Sequence, residues 1–410
     1  MKKRVAMLAV LALSVVTVFG GCGKDKAEKS ADGKTQVRFA TWDQAEDVDR
    51  QQEMVDQFNA EHDDIEVTLE AYGNDFDTKI SAGMGSGDAP DVMYMWNYPA
   101  YHQGLEPLDS YIEAEGAEYK DNFYATLWDY NSIEEDIYGI PVGFTTHCLF
   151  FNKDLFAQAG VEEPTADWTW DDVRAAAKTI SEKTDAKGFA FQMEPDPYDY
   201  EMYLWSNGAS YCDKEGNMDG NLNSDKAKEA IKMFQDMEKE GYAVATEKNG
   251  TDEFRAGQTA MYVYGSWSIS QFNDDGLNYG VTTIPAFKDA GKDSVSILSA
   301  SGLAMSKDSA NKEAAWEFIK YWTNEEGNKA RIGAELPVLN TVVESEGIMD
   351  QPEFAPFYQM LEQSQGHTPA SFIMENWSEV SETLSLSFEE MFNPSALQDV
   401  NEVLDASVEY

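Results

Sequence analysis

The sequence GIPVGFTTHCLFFNKDLF, which runs from Gly139 to Phe156, is the segment from which the architecture of this chain can be worked out. Its central residues are rich in Val, Phe, Thr, Cys and Leu, and such side chains are typical of a buried strand. Asn152 to Asp154 end the strand, and a helix is predicted to begin at Leu155 and to end at Gly160. Because one α/β unit precedes this strand and another follows it, we predict that the strand crosses between two lobes. Ligands are expected in the cleft beside the crossing.

In the first lobe, candidate site residues come where predicted strands end. Strands are predicted over residues 36–40 and 91–94, and helices separate them. A repeated β-α-β order predicts mixed or parallel sheets flanked by helices, with ligands at the carboxyl ends of the strands. The candidates at or directly after these strand ends are Trp42, Asp43, Tyr94, Trp96 and Asn97.

In the second lobe, Trp267 is the strongest single candidate for ligand contact. A flat aromatic face matches the apolar C–H face of a pyranose, and Gly265 beside it allows backbone and ligand to approach closely. The alternative for Trp267 is a core position under the following helix. Glu194 and Tyr198 lie in a polar and aromatic segment after a predicted strand, and they are candidates for the cleft; the alternative is a surface loop.

The amino terminus has the pattern of a secretory signal. Lys2, Lys3 and Arg4 precede an apolar run that is too short for a permanent membrane span, and Gly20, Gly21 and Cys22 follow it. This arrangement resembles a lipoprotein cleavage site, in which residues 1–21 are removed and Cys22 carries the lipid. An ordinary signal peptide with an incidental cysteine is the alternative. Residues 22–35 are then predicted to be a flexible tether.

The charge of the chain excludes one class of partner. The formal net charge is −45 at pH 7, and no long basic patch is present. Nucleic acid is therefore not expected as a partner, because neutralising phosphates needs clustered Lys and Arg. A field of this sign also disfavours anionic ligands. Cys148 and Cys212 could form a disulfide in an extracytoplasmic compartment or remain buried thiols.

Four segments resemble a known family in their order and spacing. They are GDAPDVMYMW from Gly87, GIPVGFTTHCLFFNKDLFAQAGVEEPTADWTWDDVRAAAKTI from Gly139, FRAGQTAMYVYGSW from Phe254 and AELPVLN from Ala334. Together they resemble the extracellular solute-binding proteins of sugar-type ABC importers, the maltose-binding-protein class. The resemblance spans nearly the whole chain after the signal.

The resemblance implies an α/β, two-lobed, periplasmic-binding-protein-like fold of type II with three crossings between the lobes. Lobe 1 is expected over residues 36–145 and 298–365, and lobe 2 over residues 146–297 and 366–410. The resemblance also implies that the strand ends line the cleft and that Glu335 lies in a turn near it. Trp377 occupies a place where the family often presents a stacking aromatic residue; a position in a helix core is the alternative.

Two other classes of function fit the sequence less well. An enzyme is disfavoured because the four histidines are scattered, no metal-ligand spacing or nucleophile motif occurs, and carboxylate pairs in so acidic a chain carry no information. A surface adhesin or structural protein is disfavoured because repeats and low-complexity stalks are absent. Neither a metal nor a cofactor is expected.

The sequence therefore predicts a lipid-anchored, extracytoplasmic solute receptor that works as a monomer. It is expected to capture a carbohydrate, more narrowly an oligosaccharide, by hinge closure. It is then expected to deliver this ligand to the permease subunits of an ABC importer, which a cytoplasmic ATPase powers. Its contact with the membrane is expected through the lipid anchor alone. The alternatives are the same role for a polyamine or another small polar solute, and a secreted carbohydrate-active enzyme.

Overall fold

A computed structural model describes residues 33–288 and 294–408. The predicted signal peptide, most of the predicted tether and Cys22 lie outside the described residues. Within the described ranges, no helix is both long and apolar enough to cross a membrane.

The described residues form strands and helices in alternation. The strands are β1 (Thr35–Thr41), β2 (Ile65–Ala71), β3 (Val92–Met95), β4 (Ser132–Ile133), β5 (Asp136–Ile137), β6 (Gly139–Thr146), β7 (Cys148–Asn152), β8 (Phe189–Gln192), β9 (Ala243–Thr246), β10 (Met261–Tyr264), β11 (Tyr279–Thr282) and β12 (Leu298–Met305). The helices of the first part are α1 (Glu46–Glu61), α2 (Phe76–Ser86), α3 (Tyr98–Tyr101), α4 (Asp109–Glu115), α5 (Ala117–Asp121), α6 (Ala125–Tyr130), α7 (Lys153–Ala159), α8 (Trp170–Lys183), α9 (Pro197–Ser206) and α10 (Asp225–Lys239). Those of the second part are α11 (Thr251–Arg255), α12 (Ile269–Asp274), α13 (Lys312–Thr323), α14 (Glu325–Ala330), α15 (Asn340–Ser345), α16 (Ala355–Gln363), α17 (Ala370–Ile373), α18 (Trp377–Phe392) and α19 (Val400–Ala406).

Two principal sheets organise the chain. The larger has five strands in the order β2-β1-β3-β12-β6. In it β1 runs parallel to β2 and β3, whereas β12 runs antiparallel to both of its neighbours. The smaller sheet has the order β10-β7-β11, and both of its pairings are antiparallel. We call the parts of the molecule around the larger and the smaller sheet lobe 1 and lobe 2. The predicted α/β architecture with mixed sheets is confirmed.

The segment from Gly139 to Phe156 does pass from one sheet to the other, although not as one strand. It is divided at His147 into β6, which pairs with β12 in lobe 1, and β7, which lies in the centre of the lobe 2 sheet. The chain returns from β11 in lobe 2 to β12 in lobe 1. After α16, which contacts both β6 and β7, it crosses again to α18 and α19, which pack on α9 and α10 of lobe 2. The division at His147 lets a single run of apolar residues contribute to two cores.

The helix after this crossing begins earlier than the sequence predicts. It spans Lys153–Ala159, because the side chain of Asn152 accepts a hydrogen bond from the backbone N–H of Leu155 at 3.1 Å and caps the first turn. Gly160 ends the helix at a φ of 63°, a conformation that glycine adopts at little cost. The stop at Gly160 is as predicted.

Aromatic clusters fill the core of each lobe. In lobe 1, Phe39 of β1 lies 4.8 Å from Trp322 of α13, measured between ring centroids. In lobe 2, Phe234 of α10 lies 4.7 Å from Tyr203 of α9 and 5.7 Å from Trp170 of α8. Cys148 and Cys212 are buried free thiols in the structure.

Candidate functional site

A cavity of about 990 Å³ lies between the two sheets, at the predicted cleft. Its lining comes from both lobes and from the crossing segments. Nine of the ten residues predicted from the sequence line it: Trp42, Asp43, Tyr94, Trp96, Asn97, Tyr198, Trp267, Glu335 and Trp377. Glu194 is the exception. Its side chain is exposed outside the cavity, and its Oε1 accepts a hydrogen bond from Ser385 Oγ at 3.5 Å.

Trp42 and Asp43 follow directly on β1, at the edge of the sheet that faces the cavity. The Trp42 ring packs against Tyr94 at 5.1 Å and against Phe76 at 5.3 Å, measured between centroids. The Asp43 carboxylate accepts hydrogen bonds from Thr41 Oγ1 at 3.2 Å and from the side-chain amide of Gln51. Burial raises the pKa of Asp43, and the hydrogen bond from Thr41 partly offsets this rise. These bonds hold a partly dehydrated carboxylate at the cavity wall.

Tyr94 lies mostly beneath the surface of the cavity wall formed by Trp42 and Asp43. Its side chain is almost fully buried, and its hydroxyl accepts a hydrogen bond from Trp322 Nε1 at 3.1 Å. The next residues along the chain are more open. Trp96 is 44% exposed, and Asn97 caps α3 by accepting a hydrogen bond from the backbone N–H of Ala100 at 3.3 Å. The Trp96 indole is therefore free to meet a ligand.

Glu335 forms an ion pair with Arg331 on the lobe 1 side of the cavity, at 3.0 Å between Oε2 and Nε. Arg331 also donates to the backbone carbonyls of Trp322 at 2.6 Å and Val142 at 3.4 Å. Burial raises the pKa of Glu335, and the Arg331 guanidinium opposes that rise. A Cβ at Gly143 would lie 2.8 Å from Glu335 Cδ, so glycine there leaves room for the carboxylate.

Trp267 presents the most open aromatic face on the lobe 2 side. Its side chain is 51% exposed, and its ring packs against Tyr264 with centroids 5.0 Å apart. A Cβ at Gly265 would lie 2.5 Å from the Trp267 ring, so the glycine makes room for the indole itself. The backbone N–H of Ser266 donates to Thr145 Oγ1 at 2.8 Å and ties this turn to β6. The alternative of a core tryptophan is excluded.

Tyr198 and Trp377 line the same cavity from lobe 2 helices. The Tyr198 hydroxyl donates to the backbone carbonyl of Leu298 at 2.7 Å, which joins α9 to the start of β12. Trp377, at the start of α18, is half-buried, and its ring centroid lies 6.1 Å from that of Tyr211. Trp377 therefore packs against lobe 2 and also faces the cavity. It has features of both predicted alternatives, the stacking aromatic residue and the position in a helix core.

Asp199 and His147 lie close together at the cavity, and neither was selected as a site residue from the sequence. His147 Nε2 lies 3.9 Å from Asp199 Oδ1, and the imidazole ring is buried beside Tyr264 and Trp267. Burial lowers the pKa of His147 to about 3 and raises the pKa of Asp199 to about 7. Asp199 lines the cavity and is poised to change its charge near neutral pH. The helix start at Pro197 was the available signal, since Asp199 lies in the first turn that Asp196 caps.

The first two turns of α1 contribute three further side chains that were not selected from the sequence. Asp47, Arg50 and Gln51 line the cavity beside Asp43, and Arg50 pairs with Asp47 at 3.1 Å. Their position was predictable in principle, because a helix that follows a parallel strand begins at the ligand-binding edge of the sheet.

The cavity therefore combines aromatic faces with carboxylates, hydroxyls and amides. Aromatic rings bind the apolar faces of a flat ligand, and the polar groups orient its hydroxyl or amino groups. Among the described residues, no cluster of His, Cys, Asp and Glu has the geometry to hold a metal ion.

The chain matches the family model of bacterial extracellular solute-binding proteins over residues 44–329. The chain belongs to this family. This solute-binding protein is 24% identical over 361 residues to the galactooligosaccharide-binding protein of Bacillus subtilis, across 83% of the chain and 82% of the relative. An ABC substrate-binding protein of Listeria monocytogenes in complex with cycloalternan is 26% identical and superposes with a TM-score of 0.78, across 92% of the chain and 97% of that protein.

A third solute-binding protein, UgpB from Mycobacterium tuberculosis in complex with glycerophosphocholine, also superposes with a TM-score of 0.78, over 92% of the chain and 97% of that protein. At 18% identity this likeness bears on the fold alone. The resemblance to the maltose-binding-protein class and the type II periplasmic-binding-protein fold are thus both confirmed.

Proposed function

We propose that this solute-binding protein captures an oligosaccharide between its lobes and delivers it to the permease of an ABC importer. The observation that carries the proposal is the exposed indole of Trp267, which shares one cavity with Trp42, Trp96 and Trp377. Several rings in one cavity suit a ligand with several stacked sugar units. The volume, about 990 Å³, is at the upper end of the range for small-molecule sites.

Closure of the two lobes around the ligand is part of the proposal. Lobe 1 is taken as residues 36–145 with 298–365, and lobe 2 as residues 146–297 with 366–410. This division is supported because the strands of the two lobes belong to separate sheets. Three connections of the chain join the two lobes. Hinge motion between two such bodies is a known mode of ligand capture.

The cellular setting is proposed from the sequence. Cys22 would carry a lipid that anchors the protein to the outer face of the cell membrane. The residues after Cys22 would act as a monomeric receptor that delivers its ligand to the permease. We also propose that the protein binds without catalysis, in keeping with a family of solute-binding proteins.

A cationic solute such as a polyamine is the second candidate. The specific observation in its favour is the acidic lining of the cavity, to which Asp43, Asp47, Asp199 and Glu335 contribute. An anionic solute is disfavoured, because the Arg331 guanidinium is already bonded to Glu335 and to two backbone carbonyls.

Thermal melting of a form that lacks residues 1–22 tests the proposal. The panel contains mono- and oligosaccharides, amino acids and polyamines. A ligand at a hundred times its dissociation constant adds about 2.7 kcal/mol to the free energy of unfolding, which is a visible shift. A shift with oligosaccharides supports the proposal. A shift with a polyamine and none with sugars supports the second candidate and contradicts the first.

A further inference from the structure

One wall of the cavity consists almost entirely of hydrogen-bond acceptors. We call Asp43, Asp47, Gln51 and Glu335 the acceptor wall; all four line the cavity. Gln51 is only 5% exposed, and its Nε2 is used in the hydrogen bond to Asp43. Its Oε1 is buried and has no partner among the described residues. A buried acceptor without a partner is costly, so this atom indicates a missing donor.

The two cationic groups near the acceptor wall are each paired with one of its carboxylates. Arg331 is buried and donates to Glu335, Trp322 and Val142. Arg50 pairs with Asp47 at 3.1 Å. No lysine is among the described residues that line the cavity. The wall therefore offers a ligand acceptors and negative charge, and it holds no free cation for an anionic group.

The whole cavity has the same bias. Among the residues that the structure describes, two guanidinium groups and six carboxyl groups line the cavity, the latter from Asp43, Asp47, Asp196, Asp199, Glu335 and Glu375. Burial raises the pKa of Glu335, the Arg331 guanidinium opposes that rise, and the charges of Asp43 and Asp47 add to it. A bound cation would reduce the repulsion among these carboxylates.

We propose that the carbohydrate carries a free amine, and that its ammonium group binds the acceptor wall while its rings stack on the tryptophans. This inference rests on the proposed carbohydrate-binding function. An ammonium has three donors and no acceptor, which matches a wall of two or more carboxylates and an unpaired amide oxygen. Charge-assisted hydrogen bonds of this kind are stronger than those from neutral hydroxyls. An N-acetylated amine would lose the charge and bring a carbonyl against the wall.

Calorimetric titration with matched sugars tests the inference. The pairs are glucosamine and galactosamine oligosaccharides with their N-acetylated counterparts, and neutral and uronic oligosaccharides of equal length complete the set. We expect the amine form to bind at least about tenfold more tightly than its counterpart. Raising NaCl from about 0.05 to about 0.5 M should narrow the difference. Glu335→Gln should reduce the preference to less than about threefold, whereas Glu194→Gln, outside the cavity, should retain it.

The outcomes separate this inference from the proposed function. Binding of neutral sugars with no gain from an amine overturns the inference and leaves the proposed function intact. Binding of spermidine with no sugar bound, or no binding of any carbohydrate, overturns both. A preference for the amine that is unchanged in Glu335→Gln and in Asp43→Asn removes the acceptor wall as its cause and overturns the assignment.

Discussion

The backbone N–H of His147 donates to Ser296 Oγ over 2.6 Å and so joins the first crossing between the lobes to the second. The backbone N–H of Ser296 in turn donates to Ser364 Oγ at 2.8 Å, which adds the third crossing. Thr146 Oγ1 also donates to the backbone carbonyl of Phe357 at 2.8 Å. These hydrogen bonds therefore hold the three connections side by side.

Replacing Ser296 with Ala should destabilise the protein. Ser296 is buried, and the change leaves the His147 N–H without its acceptor, at a cost of about 1–3 kcal/mol in the free energy of unfolding. Urea denaturation measures the effect. Ser86→Ala is the control, since Ser86 is exposed and bonds only within its own helix; it should change stability by less than about 0.5 kcal/mol. Equal stability of the two variants would contradict the role of the bond.

Trp267→Ala should weaken ligand binding without loss of the fold. The indole is half-exposed, so its removal leaves no large cavity in the core, but it deprives the ligand of a stacking face. We expect affinity to fall by more than about tenfold, or ~1.4 kcal/mol, with Trp267→Phe in between. Calorimetry with a ligand found in the melting panel measures this. Leu386→Ala, at an exposed position outside the cavity, is the control. Unchanged affinity of the Trp267→Ala protein would sink the assignment.

Gly265→Ala should weaken ligand binding by displacing the Trp267 indole. The backbone at Gly265 has a φ of −77°, which alanine adopts readily, so the added methyl group acts only through contact. It would lie 2.5 Å from the Trp267 ring and displace the indole. We expect a loss of at least about threefold in affinity and quenching or shift of the Trp267 fluorescence. Gly85→Ala, where no atom lies near the new methyl group, is the matched control. Full affinity in Gly265→Ala would show that the ring position is not critical.

Glu201→Gln should flatten the pH dependence of stability. Glu201 is 1% exposed, and burial raises its pKa to about 8, although its Oε2 accepts a hydrogen bond from the backbone N–H of Ala370 at 2.9 Å. The folded state therefore holds a proton that the unfolded state has lost, and stability falls as pH rises from about 5 to about 8. The slope for one proton is at most about 1.4 kcal/mol per pH unit.

Urea denaturation of Glu201→Gln and the parent across this pH range tests the prediction. The amide cannot ionise, so the variant should gain stability relative to the parent as pH rises. Glu194→Gln removes one exposed carboxylate and serves as the control for net charge. Parallel curves for the parent and Glu201→Gln would contradict the raised pKa of Glu201.

Arg331→Lys should destabilise the lobe 1 side of the cavity. The planar guanidinium contacts Glu335, Trp322 and Val142 at once, and a lysine ammonium cannot reach all three acceptors. We expect a loss of about 1–3 kcal/mol in the free energy of unfolding, because buried acceptors are left unpaired. Arg174→Lys, at a more exposed arginine, is the control. An unchanged free energy of unfolding in Arg331→Lys would mean that lysine can replace the hydrogen bonds of the guanidinium, contrary to the prediction.

Sequence reasoning was most successful where a feature depends on neighbouring residues. The buried strand, the stop at Gly160 and the residues that follow β1 and β3 are local, so Trp42, Asp43 and Trp96 could be chosen before the fold was known. The start of α7 was predicted late, because the side chain of Asn152 caps the helix and adds residues to its first turn. The single predicted strand was wrong at His147, since apolar composition does not reveal which sheet each half joins.

Sequence reasoning was least successful for side chains whose direction depends on distant parts of the chain. Glu194 and Asp199 are close in sequence and both carry a carboxyl group, yet the turn into α9 places Asp199 at the cavity and Glu194 outside it. The partners of Arg331 include Val142, far away along the chain.

The sequence by itself determined the family, the α/β elements and the aromatic candidates, because these follow from composition, periodicity and short motifs. Only the tertiary structure decided that the Gln51 amide donates a hydrogen bond to Asp43, that Arg331 is bonded to Glu335, and that the His147 ring packs against the Trp267 ring. Hydrogen bonds and charge interactions form between side chains brought together by folding, and their geometry is set by the packing of both sheets.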